Sequence, residues 1–128
     1  MIDGEATLLC VDDNETALQI RKLVFESVGY RVLAANDCAT AMQLFSLSAV
    51  DLVICDQFLQ GSTGTELAAA MKKLKPEVPI AIISGLVDAP EGMEHADLFI
   101  CKGEAPVVWL KKLSDLLQQQ SRRQAPPP

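Results

Sequence analysis

The sequence predicts an α/β fold: an open, doubly wound parallel sheet, (βα)5, with helices on both faces in a three-layer sandwich. Three observations carry this expectation. Short β-like runs alternate with helical patterns along the chain, the order that builds a parallel sheet through crossover helices. Runs such as LVIC and IAII are apolar throughout instead of alternating, as strands covered on both faces must be. Polar residues stand where the runs end: Asp12 and Asp13 after TLLCV, Asp56 after LVIC, Ser84 after IAII and Lys102 after LFIC. Sheets of this kind bind ligands outside the carboxyl ends of their strands, so one edge would receive all of these groups.

The strands are expected at 7–11, 31–35, 52–55, 80–83 and 98–101. The first helix spans about 15–28, with Asn14 or Asp13 as cap and Gly29 as stop. Ala17, Leu18, Leu23, Val24 and Phe25 supply its core face at helical spacing. A second helix at 39–47 offers Ala41, Met42, Leu44 and Phe45, and a third at 65–74 ends before Pro76. The last, at 106–120, starts with Pro106 at a tolerated first-turn position. Its stripe is Leu110, Leu113 and Leu117, with Val107 and Leu116 alongside. Between Ser84 and Leu98, Pro90 and Gly92 interrupt the fourth crossover, so its helix should be short or distorted. Right-handed crossovers join the units. One domain over 1–120 is expected, followed by a disordered, proline-rich tail or linker stub at 121–128.

A chain of 128 residues can bury one core without disulfides or metals as staples. Its 22% charged residues and 49% hydrophobic residues argue against disorder. The net charge of −6 disfavours gripping nucleic acid, which needs a basic surface, and suits a site that recruits a cation. The opening MIDGEATLLC has no positive n-region or long apolar stretch, and no run approaches bilayer-spanning length. A soluble, cytoplasmic protein is therefore expected. Cys10, Cys38, Cys55 and Cys101 form no CxxC pair, and three of them lie in apolar strand-like runs. Packing, not zinc or a disulfide, accounts for them.

The strand-end residues each admit a plain reading and a chemical one. Asp12 and Asp13 would repel unless a counter-charge lies near. Mg²⁺ would supply it, since it takes a few carboxylates plus waters and phosphate oxygens. The same pair also reads as a helix N-cap, and the pair alone leaves the two alternatives even. Asp56 precedes the loop QFLQGSTG, where Gly61 and Gly64 permit a tight turn. A carboxylate there can attack a phosphoryl group and form an acyl phosphate, or simply start a turn through a backbone bond. The flexible amine of Lys102 can pair with Asp56 and then with a phosphoryl oxygen. Ser84 can donate a hydrogen bond to that group, although serine is common in loops. Singly these residues are ordinary; together they are not. Three carboxylates give −3, which Mg²⁺ and Lys102 neutralise, and phosphorylation of Asp56 leaves the site near −1. Phosphoryl transfer needs little beyond such positioning and charge compensation.

This pattern resembles the receiver domain of two-component response regulators over about residues 6–120. The resemblance rests on the acidic pair after the first strand, Asp56 with Gly64 eight residues later, Ser84-Gly85 after the fourth strand and Lys102 after the fifth. It implies a flavodoxin-like sheet of order 2-1-3-4-5. It also implies that Asp56 accepts a phosphoryl group from a histidine kinase or histidine phosphotransfer protein, switching contacts with a downstream effector. Asp13 and Asp56 would then bind Mg²⁺ directly, Asp12 through water, and Phe58 through its backbone carbonyl. Ser84 and Phe99 would form the switch pair, although Phe99 read alone is a strand aromatic that core packing explains equally well. Phosphoryl acceptance and loss would be self-catalysed, so the protein would be a signalling receiver and not an enzyme in the usual sense.

Departures from the family pattern fall in two places. Gln60 stands where a proline is usual, and Lys102-Gly103 replaces a Lys-Pro whose bond is often cis. The stretch from Ser84 to Lys102 is roughly one helical turn short, which removes part of a surface that many receivers present to output partners. An alternative is therefore a receiver-like scaffold that acts by protein contact without phosphate. A flavin-binding electron carrier of similar topology needs a hydroxyl- and glycine-rich loop after the first strand, where this chain has Asp-Asp-Asn-Glu. An aspartyl-phosphate phosphatase needs a substrate pocket and cap for which the chain has little room.

Overall fold

The computed structural model describes residues 6–124, with side chains described through residue 120. Five strands form one parallel sheet: β1 (Thr7–Val11), β2 (Arg31–Ala35), β3 (Leu52–Asp56), β6 (Ile80–Ser84) and β7 (Leu98–Cys101). Their order, β2-β1-β3-β6-β7, is the doubly wound 2-1-3-4-5 order expected from the sequence, once an extra hairpin is set aside. That hairpin pairs β4 (Phe58–Leu59) with β5 (Ser62–Thr63) directly after Asp56 and was not foreseen. Gly61 turns it with φ of +78°, a conformation that side chains with a Cβ resist.

Four helices flank the sheet: α1 (Glu15–Ser27), α2 (Cys38–Leu47), α3 (Gly64–Leu74) and α4 (Pro106–Gln124). In the fourth crossover only a 3₁₀ turn, Met93–His95, remains among the described residues. The interruption expected at Pro90 and Gly92 is therefore real, and Gly92 enters the turn with φ of +88°. The last helix continues to Gln124, past the expected end at 120; residues 125–128 of the expected tail lie outside the described residues, as do 1–5.

The sheet separates two cores, which is why successive residues inside its strands are apolar and polar ones stand only at strand ends. Leu9, Val11, Val53, Cys55 and Ile82 face α2 and α3, where Phe45, Leu67 and Met71 are buried. Leu8, Cys10, Leu52, Ile54 and Ile83 face the other way, onto Leu18 and Phe25 of α1 and Leu113 and Leu117 of α4. Each fully buried Leu, Ile or Phe contributes about 1.5–3 kcal/mol relative to an exposed one. Two expected core positions are corrected: Leu23 and Val107 are 67% and 72% exposed, because Leu23 lies on the face of α1 opposite Leu18 and Phe25, and Val107 lies in the exposed first turn of α4. The four cysteines are free thiols, and burial pushes the Cys10 thiol up to about 12 and raises that of Cys55 further.

Candidate functional site

Asp56 ends β3, the middle strand, and is 3% exposed. Its position follows from register: it pairs with Ile83 of β6, so its side chain emerges where the buried ladder stops. Oδ1 accepts from the Phe58 backbone N–H at 3.0 Å, and Oδ2 accepts from Lys102 Nζ at 2.7 Å. Lys102 follows β7, two strands away, and its long stem spans that distance while the amine stays partly in water. The sequence-predicted pairing of these two residues is therefore direct. Because the lysine side chain is 42% exposed, the pair positions the carboxylate more than it stabilises the fold.

Ser84 ends β6 and is fully buried. Its Oγ accepts from the Leu86 N–H at 3.1 Å, and its carbonyl accepts from the Lys102 N–H at 2.8 Å, so one residue ties two strand ends together. No described peptide is cis, and Lys102-Gly103 is accordingly trans. Glu104 holds the turn after it by accepting from the Cys101 N–H and from Lys112. The Lys112 amine and the Cys101 N–H also keep the Glu104 carboxyl below the usual carboxylate range.

Asp12 follows β1 and is 1% exposed, whereas Asp13 beside it is exposed. The helix cap is Asn14, whose side chain accepts from the Ala17 N–H at 2.9 Å. The reading of the acidic pair as an N-cap is thereby set aside. Asp12 Oδ1 accepts from the Asn14 N–H at 2.8 Å, and Oδ2 accepts from Arg21 Nη1 at 2.5 Å. Among the described residues no three His, Cys, Asp or Glu side chains converge into a ready metal cage. The donor chemistry nevertheless fits Mg²⁺, which takes one or two carboxylates together with waters instead of an all-protein cage. Asp12 and Asp56 present only oxygen, and each carboxylate has more acceptor positions than its present bonds use.

The remaining expected site residues sit at the rim. Phe58 is 58% exposed in β4, its N–H committed to Asp56. Phe99 is half-buried on β7, paired with Ile82, and is not among the side chains packed against either core cluster. Gly64 opens α3 directly against the site: a Cβ there would lie 2.5 Å from the Asp56 carbonyl oxygen. That contact explains a glycine eight residues after the acidic one better than the turn does.

This arrangement of two carboxylate-bearing strand ends, a serine and a lysine on one sheet edge coincides with a match to the response regulator receiver domain over residues 8–106. The chain belongs to that family. Its receiver is similar to the hydrogenase transcriptional regulatory protein HoxA of Cupriavidus necator, 33% identical over 104 residues, covering 77% of this chain and 21% of HoxA. The chain thus spans about a fifth of that relative's length. A CheY-like receiver domain from Methanospirillum hungatei superposes with a TM-score of 0.85 at 26% identity, covering 92% of this chain and 98% of the other. The response regulator TrrA of Thermotoga maritima, solved with Mg²⁺ and BeF, shares the fold at a TM-score of 0.81 and 24% identity, covering 87% of this chain and 98% of TrrA. Receiver domains of this family are signalling modules and not enzymes in the usual sense. No described helix is long and apolar enough to cross a membrane.

Two features of the receiver went unread in the sequence. Gln57 is buried beside Asp56 and clamps α3: its Oε1 accepts from the Thr65 N–H at 3.0 Å, and its Nε2 donates to Thr65 Oγ1 at 3.2 Å. Nothing in its spacing announces this. Arg21 carried a signal, because it lies between Leu18 and Phe25 at i, i+3 and i+7 on the buried stripe of α1. A charge on that face requires a partner, and Asp12 is the partner.

Proposed function

We propose that this receiver accepts a phosphoryl group on Asp56 from the phosphohistidine of a histidine kinase or histidine phosphotransfer protein, in the cytoplasm, and thereby switches binding to an effector protein or domain. The direct pairing of Asp56 with Lys102 at a buried strand end is the observation that carries this reading. One Asp56 carboxylate oxygen attacks phosphorus; the P–N bond breaks, its electron pair passes to the imidazole nitrogen, and that nitrogen takes up a proton. Lys102 shifts from the carboxylate to a phosphoryl oxygen, and the Ser84 hydroxyl donates to another. Asp12, Asp13, Asp56 and the Phe58 carbonyl would hold Mg²⁺, which when bound offsets the charge gathering on the phosphoryl oxygens. Movement of Ser84 draws Phe99, half-buried and outside both cores, inward on β7 as the second half of the switch. Lacking a hydroxyl, Phe99 conveys this by packing alone.

Incubation with acetyl phosphate and Mg²⁺ followed by intact mass measurement tests the reading. A metal-dependent gain of one phosphoryl group, absent in Asp56→Asn, is expected; no gain with either acetyl phosphate or a phosphorylated phosphotransfer protein would overturn it.

The reduced fourth crossover favours a second reading, a scaffold that binds its partner without phosphate. Partner binding unchanged in Asp56→Ala supports the scaffold, whereas lost or constitutive binding supports the switch.

A further inference from the structure

Arg21 changes the charge balance of the acidic site. Its guanidinium bonds Asp12 Oδ2 at 2.5 Å, and its side chain is only 11% exposed, so water screens the pair weakly. The same guanidinium lies 5.7 Å from the centre of the Trp109 ring on α4, close enough for a cation–π contact. Beside it opens a cavity of about 350 Å³ lined by Ala17, Ile20, Val24, Lys102 and Trp109, which gives the side chain somewhere to move.

With Arg21 counted, the three carboxylates and two protein cations of the resting site sum to −1. A bound divalent ion brings the site to +1. Only when Asp56 exchanges its single charge for the roughly −2 of a phosphoryl group does the metal-loaded site reach neutrality. Without Arg21, neutrality falls at the metal-loaded, unphosphorylated state instead.

We propose that Arg21 is a positioning residue that competes with divalent metal for Asp12 at rest. The inference rests on the phosphoryl-acceptor reading above. It assigns one effect to this side chain: weaker metal binding in the resting receiver. Because the guanidinium also touches Trp109, displacement from Asp12 is felt at α4, the helix that packs across the sheet from α2 and α3.

Calorimetric titration of Mg²⁺ into the full chain, with and without beryllium fluoride as a phosphoryl mimic, tests this in wild type, Arg21→Gln and Arg21→Lys. Arg21→Gln is expected to bind Mg²⁺ at least about tenfold more tightly at rest, because it removes a nearby positive charge that this partly buried site screens only weakly. Arg21→Lys stays close to wild type. In wild type, Mg²⁺ also shifts the emission of Trp109, the sole tryptophan, and Arg21→Gln loses that shift. A purely structural arginine would lower stability and leave both metal constants alone. Equal constants in wild type and Arg21→Gln, or weaker resting binding in the variant, overturn the proposal. If Arg21→Gln does not fold, Arg21→Met keeps the stem packed and answers the same question. Absence of Mg²⁺ binding by wild type in either state sinks the phosphoryl-acceptor reading itself, a distinguishable result.

Discussion

The two connections that leave the middle of the sheet differ sharply. After β3 the chain is bound in place at once: Asp56 takes the Phe58 N–H, Gln57 grips Thr65 twice, a hairpin closes, and α3 begins with Gly64 on the Asp56 carbonyl. After β6 the chain runs from Gly85 to Ala89 with every residue exposed, including Leu86 and Val87, and forms only a 3₁₀ turn before β7. Buried, mutually satisfied backbone resists local opening, and exposed backbone with few packed apolar groups does not. The first connection holds the chemistry rigid. The second is the pliable part, and Ser84 stands at its root, where a small hydroxyl movement meets the least resistance.

Substituting glycines in the two connections sharpens this contrast most. Gly64→Ala places a Cβ against backbone that cannot rotate away, and about 3 kcal/mol of stability should be lost, at the upper end of ordinary overpacking. Gly85→Ala meets nothing within 4 Å and should change stability by less than about 0.5 kcal/mol. Urea unfolding of both variants measures the difference. Equal losses would mean that the second connection is as tightly held as the first.

Removing the clamp while sparing the backbone gives a smaller effect. Gln57→Ala leaves the buried Thr65 N–H without its side-chain acceptor, so about 1–2 kcal/mol should be lost. Val87→Ser, in the second connection, removes an 85% exposed side chain and should stay within about 0.5 kcal/mol. Hydrogen exchange at the Thr65 amide provides the local readout: its protection should fall in Gln57→Ala and stay unchanged in Val87→Ser.

What the sequence made legible follows the same division. The apolar runs fixed five strands because burial on both faces leaves no other pattern, and Pro90 with Gly92 foretold a short or distorted fourth helix, of which a 3₁₀ turn is found. Asp56 and Lys102 were legible because both end apolar runs. The hairpin at 58–63 was not, since two-residue strands have no periodicity to detect. Gln57 was not, because its worth lies in a bond to a residue on another element. Leu23 and Val107 were misread because being apolar within a helix does not place a residue on its buried face: Leu23 lies opposite Leu18 and Phe25, and Val107 lies in the exposed first turn of α4.

Thiol reactivity separates the rigid interior from the site edge without altering stability. Burial raises Cys10 to about 12 and Cys55 above that, so neither supplies appreciable thiolate at pH 8. Cys38 and Cys101 are only partly buried. Two thiols should label rapidly with a disulfide reagent in the native state, and the other two only on unfolding. Rapid labelling of all four would show that the strands of the first connection open as readily as the second.

The smallest effect concerns α2, which lies on neither connection and serves as the control for both. Asp37 caps this helix by accepting from the Thr40 N–H at 2.7 Å, and that bond holds its carboxyl below the usual carboxylate range. A depressed folded value means that the native state favours the charged form. The capping contribution is therefore complete above the ordinary carboxylate value and is lost as pH falls through the lower folded one. Asp37→Asn keeps an acceptor at the cap but removes the titration, so the acid limb of its stability profile should be slightly shallower below about pH 4. Phosphoryl acceptance at neutral pH should not change in this variant. Urea midpoints measured from pH 3 to 7 provide the check: a wild-type and variant pair with parallel acid limbs would remove Asp37 from the titrating groups that set acid stability.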